Sequence, residues 1–462
     1  MDNCKFLKQK KQVNINGEWV DTRSYRYITY CDGGTPCVII KGGEPNKKVE
    51  INYFKVNNPI DCRPKIIWLD DEGNGYAEFE SDDSIYIFKM SQLTKTFEVE
   101  IKGCNVSAFH FIEYQPNISM TVSCSSYCRP ADVKHFDSNN ISKLTFKGLD
   151  TSNATTMSFM FSGLDDLESL DVSQFDTSKV TNMYRMFFDC EKLKSIKGLT
   201  NFDTSKVTDM TDMFFDCESL TLLNLSGWDV SNVTNMRDMF NYCSGLTSVD
   251  LSGWNTSSNV TNMSSMFEHC FNLKSIKGVN NFDTSKVTDM SAMFSACFSL
   301  KSLFLNGWNV SNVTNMDCMF CSCEGIKILD LSGWNVSNVT NMDSMFAWCK
   351  GLTSLNLSDW NVNNATNMRE MFQLCRRLTS LDLSGWNVSN VDNMILMFGS
   401  CESLTSLDLS GWNLSRPITN GMFDYCDSLK TIYMRDCSQN TIDRIKYELE
   451  ESHILDQVTI IT

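Results

Sequence analysis

Long apolar runs are missing from this 462-residue chain. The N-terminal MDNCKFLKQKKQVNINGEW carries positive charge with no apolar stretch of signal-peptide length behind it, and no later segment approaches a membrane span. Neither an export signal nor membrane insertion is therefore expected. Basic clusters are missing as well. Against 56 Asp and Glu stand 40 Lys and Arg, a formal charge of −16, which disfavours phosphate backbones and anionic membranes as partners. Nucleic acid is thus excluded as an expected ligand. Histidine is scarce: His110, His135, His269 and His453 belong to no G-x-S-x-G or H-E-x-x-H pattern, and no set of convergent titratable groups suggests a cleft. The chain reads as a non-enzyme without a cofactor.

Cysteine, by contrast, is plentiful at 20 residues, and ten of these recur at one place in a repeated phrase. They are Cys190, Cys217, Cys243, Cys270, Cys297, Cys323, Cys349, Cys375, Cys401 and Cys426, separated by 25 to 27 residues; an eleventh unit precedes them with Leu164 in the cysteine's place. A fixed period of that size signals a solenoid. One unit reads W-N-V-S-N-V-T-N-M-x-x-M-F-x-x-C-x-x-L-x-S-L-x-L-S-G. Stretches such as LTSLDL (404–409) alternate apolar and polar residues and end at S-G-W, the pattern of a short strand and a turn. The N-M-x-x-M-F part places two methionines three residues apart, which predicts an apolar face on a helical turn. A single unit cannot bury that face. Stacking sets each Leu, Met, Phe and Cys on its copy about 4.8 Å away along a parallel sheet. Cβ vectors in such a stack are parallel, so neighbouring repeat cysteines are expected to be buried free thiols rather than disulfides. The segment DCMFCSC adds Cys318 and Cys321 at variable positions, where they are expected to be the more exposed thiols.

The repeated V-T-N-M-x-x-M-F-x-x-C-x-x-L-x-x-L-x-L resembles the BspA-like leucine-rich repeats of bacterial surface and phage proteins over about residues 139–437. The resemblance implies a bent solenoid with a parallel sheet on one face, used for adhesion or recognition. Two units depart from it: SIKGLTNF (195–202) and SIKGVNNF (275–282) lose the L-S-G-W corner and carry one extra residue, so their corners are expected to bulge.

The predicted fold class is therefore an α/β solenoid of leucine-rich-repeat type, a parallel sheet with short helical turns, preceded by an all-β N-terminal region. Residues 1–50 are assigned to a β attachment segment and 51–138 to a β-sandwich-like domain. The solenoid of eleven repeats follows at 139–437. Residues 438–462 form a cap in which TIDRIKYELEES places Ile442, Ile445 and Leu449 on one helical face. The stretch NGEWVDTRSYRYITYCDGGTP (16–36) is similar to a lead segment of virion proteins from crAss-like phages of Bacteroides. Cys124 and Cys128, with Cys104 or Cys62, have no standard zinc spacing and read as ordinary thiols.

Function is left to outward positions, because packing fixes the inward ones. The column before the repeat cysteine includes Tyr242, His269 and Trp348; the column after it includes Phe271, Phe298 and Arg376, with Arg377 beside it. Phe304 interrupts a mostly acidic row on the sheet face. Aromatics so placed either anchor a protein or sugar ring or pack on neighbouring rungs or another subunit, and the acidic row either recognises a ligand or is solvated. The expected function is recognition or adhesion. The N-terminal region would dock to other virion or surface proteins, and the solenoid would bind a host-surface protein or glycan. A phage particle, at its tail or fibre, is the expected location. The alternatives are a bacterial cell-surface adhesin and a purely structural virion protein. Oligomers are compatible with either.

Overall fold

The computed structural model describes side chains from residue 142 onward, except at 147, 148, 150, 255–258 and 416; for residues 1–141 and 147 it describes the backbone of strands alone. The chain divides into two compact units, one of residues 1–207 and 216–219 and the other of 208–215 and 220–462.

In the first unit Arg63–Leu69, Asn74–Ser81, Ser84–Ser91 and Thr96–Gly103 pair antiparallel in sequence order. The hand of pairing then changes. Ile118–Cys124 lies parallel to Thr96–Gly103, and Ile141–Lys147, Ser169–Asp171 and Ser195–Lys197 continue the sheet in parallel. All described elements before residue 148 are strands. Whether sheets face one another as in a sandwich, and the side chains of the 16–36 segment and of Cys62, Cys104, Cys124 and Cys128, lie outside the described residues.

The repeat region is a parallel-strand β-solenoid, in all about 12 turns with little helix. The second unit shows why one repeat makes one turn. Leu222–Asn224, Ser248–Asp250 and Ser275–Lys277 pair in register, residue for equivalent residue, as do Ser380–Asp382, Ser406–Asp408 and Thr431–Tyr433. The middle residue of most strands is buried, as at Leu223, Val249, Leu381, Leu407 and Ile432, with Ile276 half-buried, while their neighbours stay at least partly solvated. Alternation of period two is sufficient for this.

Each turn then needs corners, and asparagine or aspartate makes them. In one rung Asp382 Oδ1 accepts from Ser384 N at 2.9 Å, Asn387 Oδ1 from Ser389 N at 3.2 Å and Asn393 Oδ1 from Ile395 N at 3.2 Å. Side-chain oxygens thereby mimic a backbone turn three times per rung. The acidic row on the sheet face is thus made of corner residues: Asp171, Asp250, Asp330 and Asp408 do the same as Asp382. Asparagines of the N-x-T sequences are engaged too, since Asn338 and Asn364 Nδ2 donate to Ser311 and Ser337 carbonyls one rung back.

The N-M-x-x-M-F segment differs from the expected helical turn. It consists of single i→i+3 turns, such as Met371 N to Met368 O, that are also bonded rung to rung: Met368, Glu370, Phe372 and Leu374 donate to Asn393, Ile395, Met397 and Gly399. Alternate residues reaching the next copy is a strand-like pattern. Helix is prevented by the backbone itself. The residue before the second methionine has φ of 53–58° on ten non-glycine residues from Phe159 to Leu396, and that before the cysteine has φ of 57–62° from Asp189 to Tyr425. Two left-handed residues per rung reverse the chain direction twice, which no α-helix permits.

Inside, each column meets its own copy. The phenylalanines from Phe214 to Phe423 stack with ring centroids 5.2–5.8 Å apart and planes within 11°. Tryptophans 308, 334, 360 and 386 stack at 6.3–6.4 Å. At SIKGVNNF the extra residue is absorbed by a 3-10 turn at Val279–Asn281, after left-handed Gly278, and Phe282 enters the tryptophan stack between Trp254 and Trp308. Val279 of this turn is buried and its carbonyl accepts from Trp308 Nε1 at 2.9 Å, so the interior stays continuous. Gly198 and the 3-10 turn Leu199–Asn201 repeat this device in the first unit. All ten repeat cysteines are buried free thiols, each donating to the phenylalanine carbonyl of the preceding rung at 3.0–3.2 Å. Burial holds Cys270, Cys323, Cys375 and Cys401 well above the ordinary thiol range.

The last strand, Thr459–Ile461, pairs with Thr431–Tyr433, and the helix Gln439–Glu451 is capped by Ser438 and buries Ile442, Ile445 and Leu449. Its buried Glu448 accepts from Thr419 Oγ1 at 2.6 Å and pairs with Arg444 at 3.0 Å. Among the described residues no helix is long and apolar enough to cross a membrane.

Candidate functional site

Three consecutive side-chain positions define an edge of each rung: the residue before the cysteine points out, although Ala296 is covered there, the cysteine in, and the residue after it out. The left-handed φ of the first is what throws its side chain clear of the core, at a cost of roughly 1–2 kcal/mol for a non-glycine residue. On this edge the second unit carries a run of aromatic contacts. Tyr242 stacks on His269 at 4.2 Å and 15°; His269 meets Phe271 edge-on at 5.7 Å and 86°; Phe271 stacks on Phe298 at 5.1 Å and 8°. Each such pair contributes about 0.5–1.5 kcal/mol beyond area burial. Stacking does not hide them, for Tyr242 is 39% and Phe298 42% exposed. His269 Nδ1 lies 3.7 Å from Glu268 Oε1, too far for a hydrogen bond.

Four of the expected site residues therefore form one patch, and four do not join it. Trp348 is 42% exposed in the same column as His269, but three rungs along, about 14 Å by strand spacing, with Ala296 and Ser322 between. Its ring carries the Lys350 ammonium at 4.9 Å, and that ammonium is paired with Glu324 at 2.6 Å. Arg376 is exposed and pairs with Glu402 at 3.0 Å; Arg377 beside it is exposed. Phe304, at 68%, lies on the sheet face, away from this edge.

Sequence reasoning missed Phe215, which extends the patch by packing on Tyr242 at 5.7 Å; the doubled Phe214-Phe215 was the available signal. It also missed a second cluster in the first unit, where the Arg185 guanidinium lies 4.6 Å from the Phe188 ring and 5.0 Å from that of Tyr184, itself packed on Phe159. In that unit the edge columns carry acids instead. Asp189, Glu191 and Asp216 bring oxygens within 4.8 Å of one another, half of the six ligands calcium takes at the least. Burial, then the charges of Asp189 and Glu191, pushes the Asp165 carboxyl up to about 6. Burial, then Glu218, Asp189 and Glu191, does the same to Asp216, also to about 6.

A repeat solenoid with a built aromatic edge and no catalytic constellation among its described residues is the class these features define. The family description "Mycoplasma protein of unknown function, DUF285" matches residues 131–245, 192–277, 270–355 and 322–436, and the chain belongs to that family. This agrees with the BspA-like resemblance of the repeats. A leucine-rich-repeat protein of Leptospira interrogans is similar at 13% identity and a TM-score of 0.28, over 75% of this chain and 90% of that one. The Toll–Spätzle complex of Drosophila contains a chain similar at 15% identity and a TM-score of 0.30, over 87% of this chain and 58% of that one. No curated protein matches the sequence.

Proposed function

We propose that this protein is a non-enzymatic recognition module whose aromatic edge at Phe215, Tyr242, His269, Phe271 and Phe298 binds a protein or glycan on a host or neighbouring surface. The observation that carries the reading is the run of partly exposed, mutually stacked rings along one edge, with Phe271 and Phe298 interrupting a column that is otherwise polar. Core packing asks nothing of the edge columns, yet they hold rigid, amphipathic rings of the kind that dominate binding energy at interfaces. The acidic overall charge directs the choice toward protein or sugar rather than phosphate.

For its setting we favour a phage virion component, tail- or fibre-associated, on the likeness of residues 16–36 to virion lead segments. A cell-surface adhesin of the BspA type and a structural virion protein without a ligand are the competing readings. Binding of the full chain to intact bacterial cells, compared with Tyr242→Ala/Phe271→Ala/Phe298→Ala, tests the site. The triple variant should lose at least about tenfold in affinity, the equivalent of 1.4 kcal/mol. Equal binding by both proteins would retire the patch, and no binding by either would retire the recognition function.

A further inference from the structure

We propose that Cys318 and Cys321 form a redox-active dithiol that closes reversibly to an intramolecular disulfide, making this rung a thiol-exchange site. The two stand at either end of an i→i+3 turn in which Cys321 N donates to Cys318 O at 2.9 Å. A turn of that kind holds its end Cα atoms within about 7 Å, and a disulfide needs roughly 4.4–6.8 Å. Side chains at these two positions reach each other: at the equivalent pair three rungs earlier, Asn241 Nδ2 donates to Asp238 Oδ1 at 2.8 Å.

Access is provided by what surrounds them. Both are half-buried, unlike the ten core cysteines. Rung-to-rung bonds from Ala292 N to Asp317 O and from Cys318 N to Asp343 O fix the register, so Cys318 lies between Ala292 and Ser344, and Cys321 between Ser295 and Ala347. No flanking side chain in either column is larger than serine. The nearby Cys323 is no competitor, because it is buried and its thiol donates to Phe294 O at 3.1 Å.

The chemistry divides the roles. The adjacent Cys318 thiol holds Cys321 below its usual thiol range, while Cys321, burial and Asp317 hold Cys318 above it. Cys321 is thus the attacking thiolate and Cys318 the resolving thiol. With a low-molecular-weight disulfide RSSR as oxidant, Cys321 S⁻ attacks one sulfur, forming a mixed disulfide and releasing RS⁻. Cys318 then passes its proton to Asp317 and attacks the Cys321 sulfur, releasing a second RS⁻. Two protein thiols are oxidised, one RSSR is reduced to two thiols, and Asp317 returns its proton to solvent.

The test is incubation of the native full-length chain with oxidised glutathione, followed by alkylation and mass spectrometry of the tryptic peptide Ser302–Lys327, which holds all three cysteines of the segment. The expected product has Cys318 joined to Cys321 and Cys323 alkylated only after unfolding. Cys318→Ser should trap a glutathione adduct on Cys321, whereas Cys321→Ser should form the adduct on Cys318 at least about tenfold more slowly. Wild-type chain that remains fully reduced, or adducts forming at equal rates in the two variants, would overturn the proposal. Labelling of the native wild type decides the matter even if a serine variant fails to fold.

Discussion

Alanine to glycine in a folded segment ordinarily destabilises, by roughly 0.5–1 kcal/mol. At Ala292 the sign should reverse, and at Ala296 the cost should vanish. Their φ values are 53° and 57°, where the Cβ of an L-residue approaches the following carbonyl and costs about 1–2 kcal/mol. Removing the Cβ recovers that strain; the freer unfolded chain takes back about 0.4–1 kcal/mol. Ala292→Gly should therefore stabilise by about 0.5–1 kcal/mol; Ala296 is itself buried and gives up a methyl worth about 0.8 kcal/mol, so Ala296→Gly should be near neutral and the double variant Ala292→Gly/Ala296→Gly should gain about 0.5–1 kcal/mol. The chain itself supplies the precedent, for Gly421 and Gly163 occupy the same two columns with φ of 67° and 73°. Ala347 is the control: it is buried, lies beside a left-handed residue but has no positive φ of its own, and Ala347→Gly should cost about 1 kcal/mol. Urea midpoints at unchanged slope measure all three, and amide exchange of the 292–297 segment localises the effect. If Ala292→Gly/Ala296→Gly destabilises as Ala347→Gly does, the left-handed strain assigned to every rung is wrong.

Two further expectations concern buried groups. Cys349→Asp places a carboxylate where only the Phe320 carbonyl faces it, and should cost more than about 3 kcal/mol, whereas Cys349→Ser keeps the donor and should cost about 1 kcal/mol; chemical denaturation separates them. In the first unit Asp165 and Asp216 both titrate near 6, above their unfolded value of 3.8, so the stability that protonation confers is complete below pH 4 and lost as pH rises through 6. Asp165→Asn/Asp216→Asn should accordingly raise the denaturation midpoint at pH 7, with a gain that shrinks toward pH 4; a pH-independent gain would mean the carboxylates are not the cause.

The inward columns were legible from sequence because every constraint on them is repeated: Met, Phe, Cys, Leu and Trp recur where a stacked core requires them. The outward aromatics were legible for the complementary reason, since Tyr242, His269, Phe271 and Phe298 break columns that packing leaves free. What stayed hidden was backbone. M-x-x-M-F has the i, i+3 spacing of a helix, and nothing in Asp, Ser, Tyr or Trp announces a left-handed residue as glycine would. The corner role of Asp and Asn was equally invisible, because an exposed acid serves a turn or a ligand with the same letter. Cys318 and Cys321 read as two stray thiols until the turn closed them together.

The glycine corners have a bearing on how the chain finds its alignment. When all interiors are alike, a strand that pairs one copy too far along still meets leucine with leucine and phenylalanine with phenylalanine, so hydrophobic matching alone cannot tell the right partner from the next. The odd corner can. A Cβ on Gly278 would lie 2.5 Å from the Ser252 Cα, so this bend nests closely against that neighbour. Slippage by one copy would seat this longer corner, with its extra residue and Phe282, where an L-S-G-W corner and its tryptophan belong. Irregular units of this kind serve as index marks in an otherwise uniform ruler.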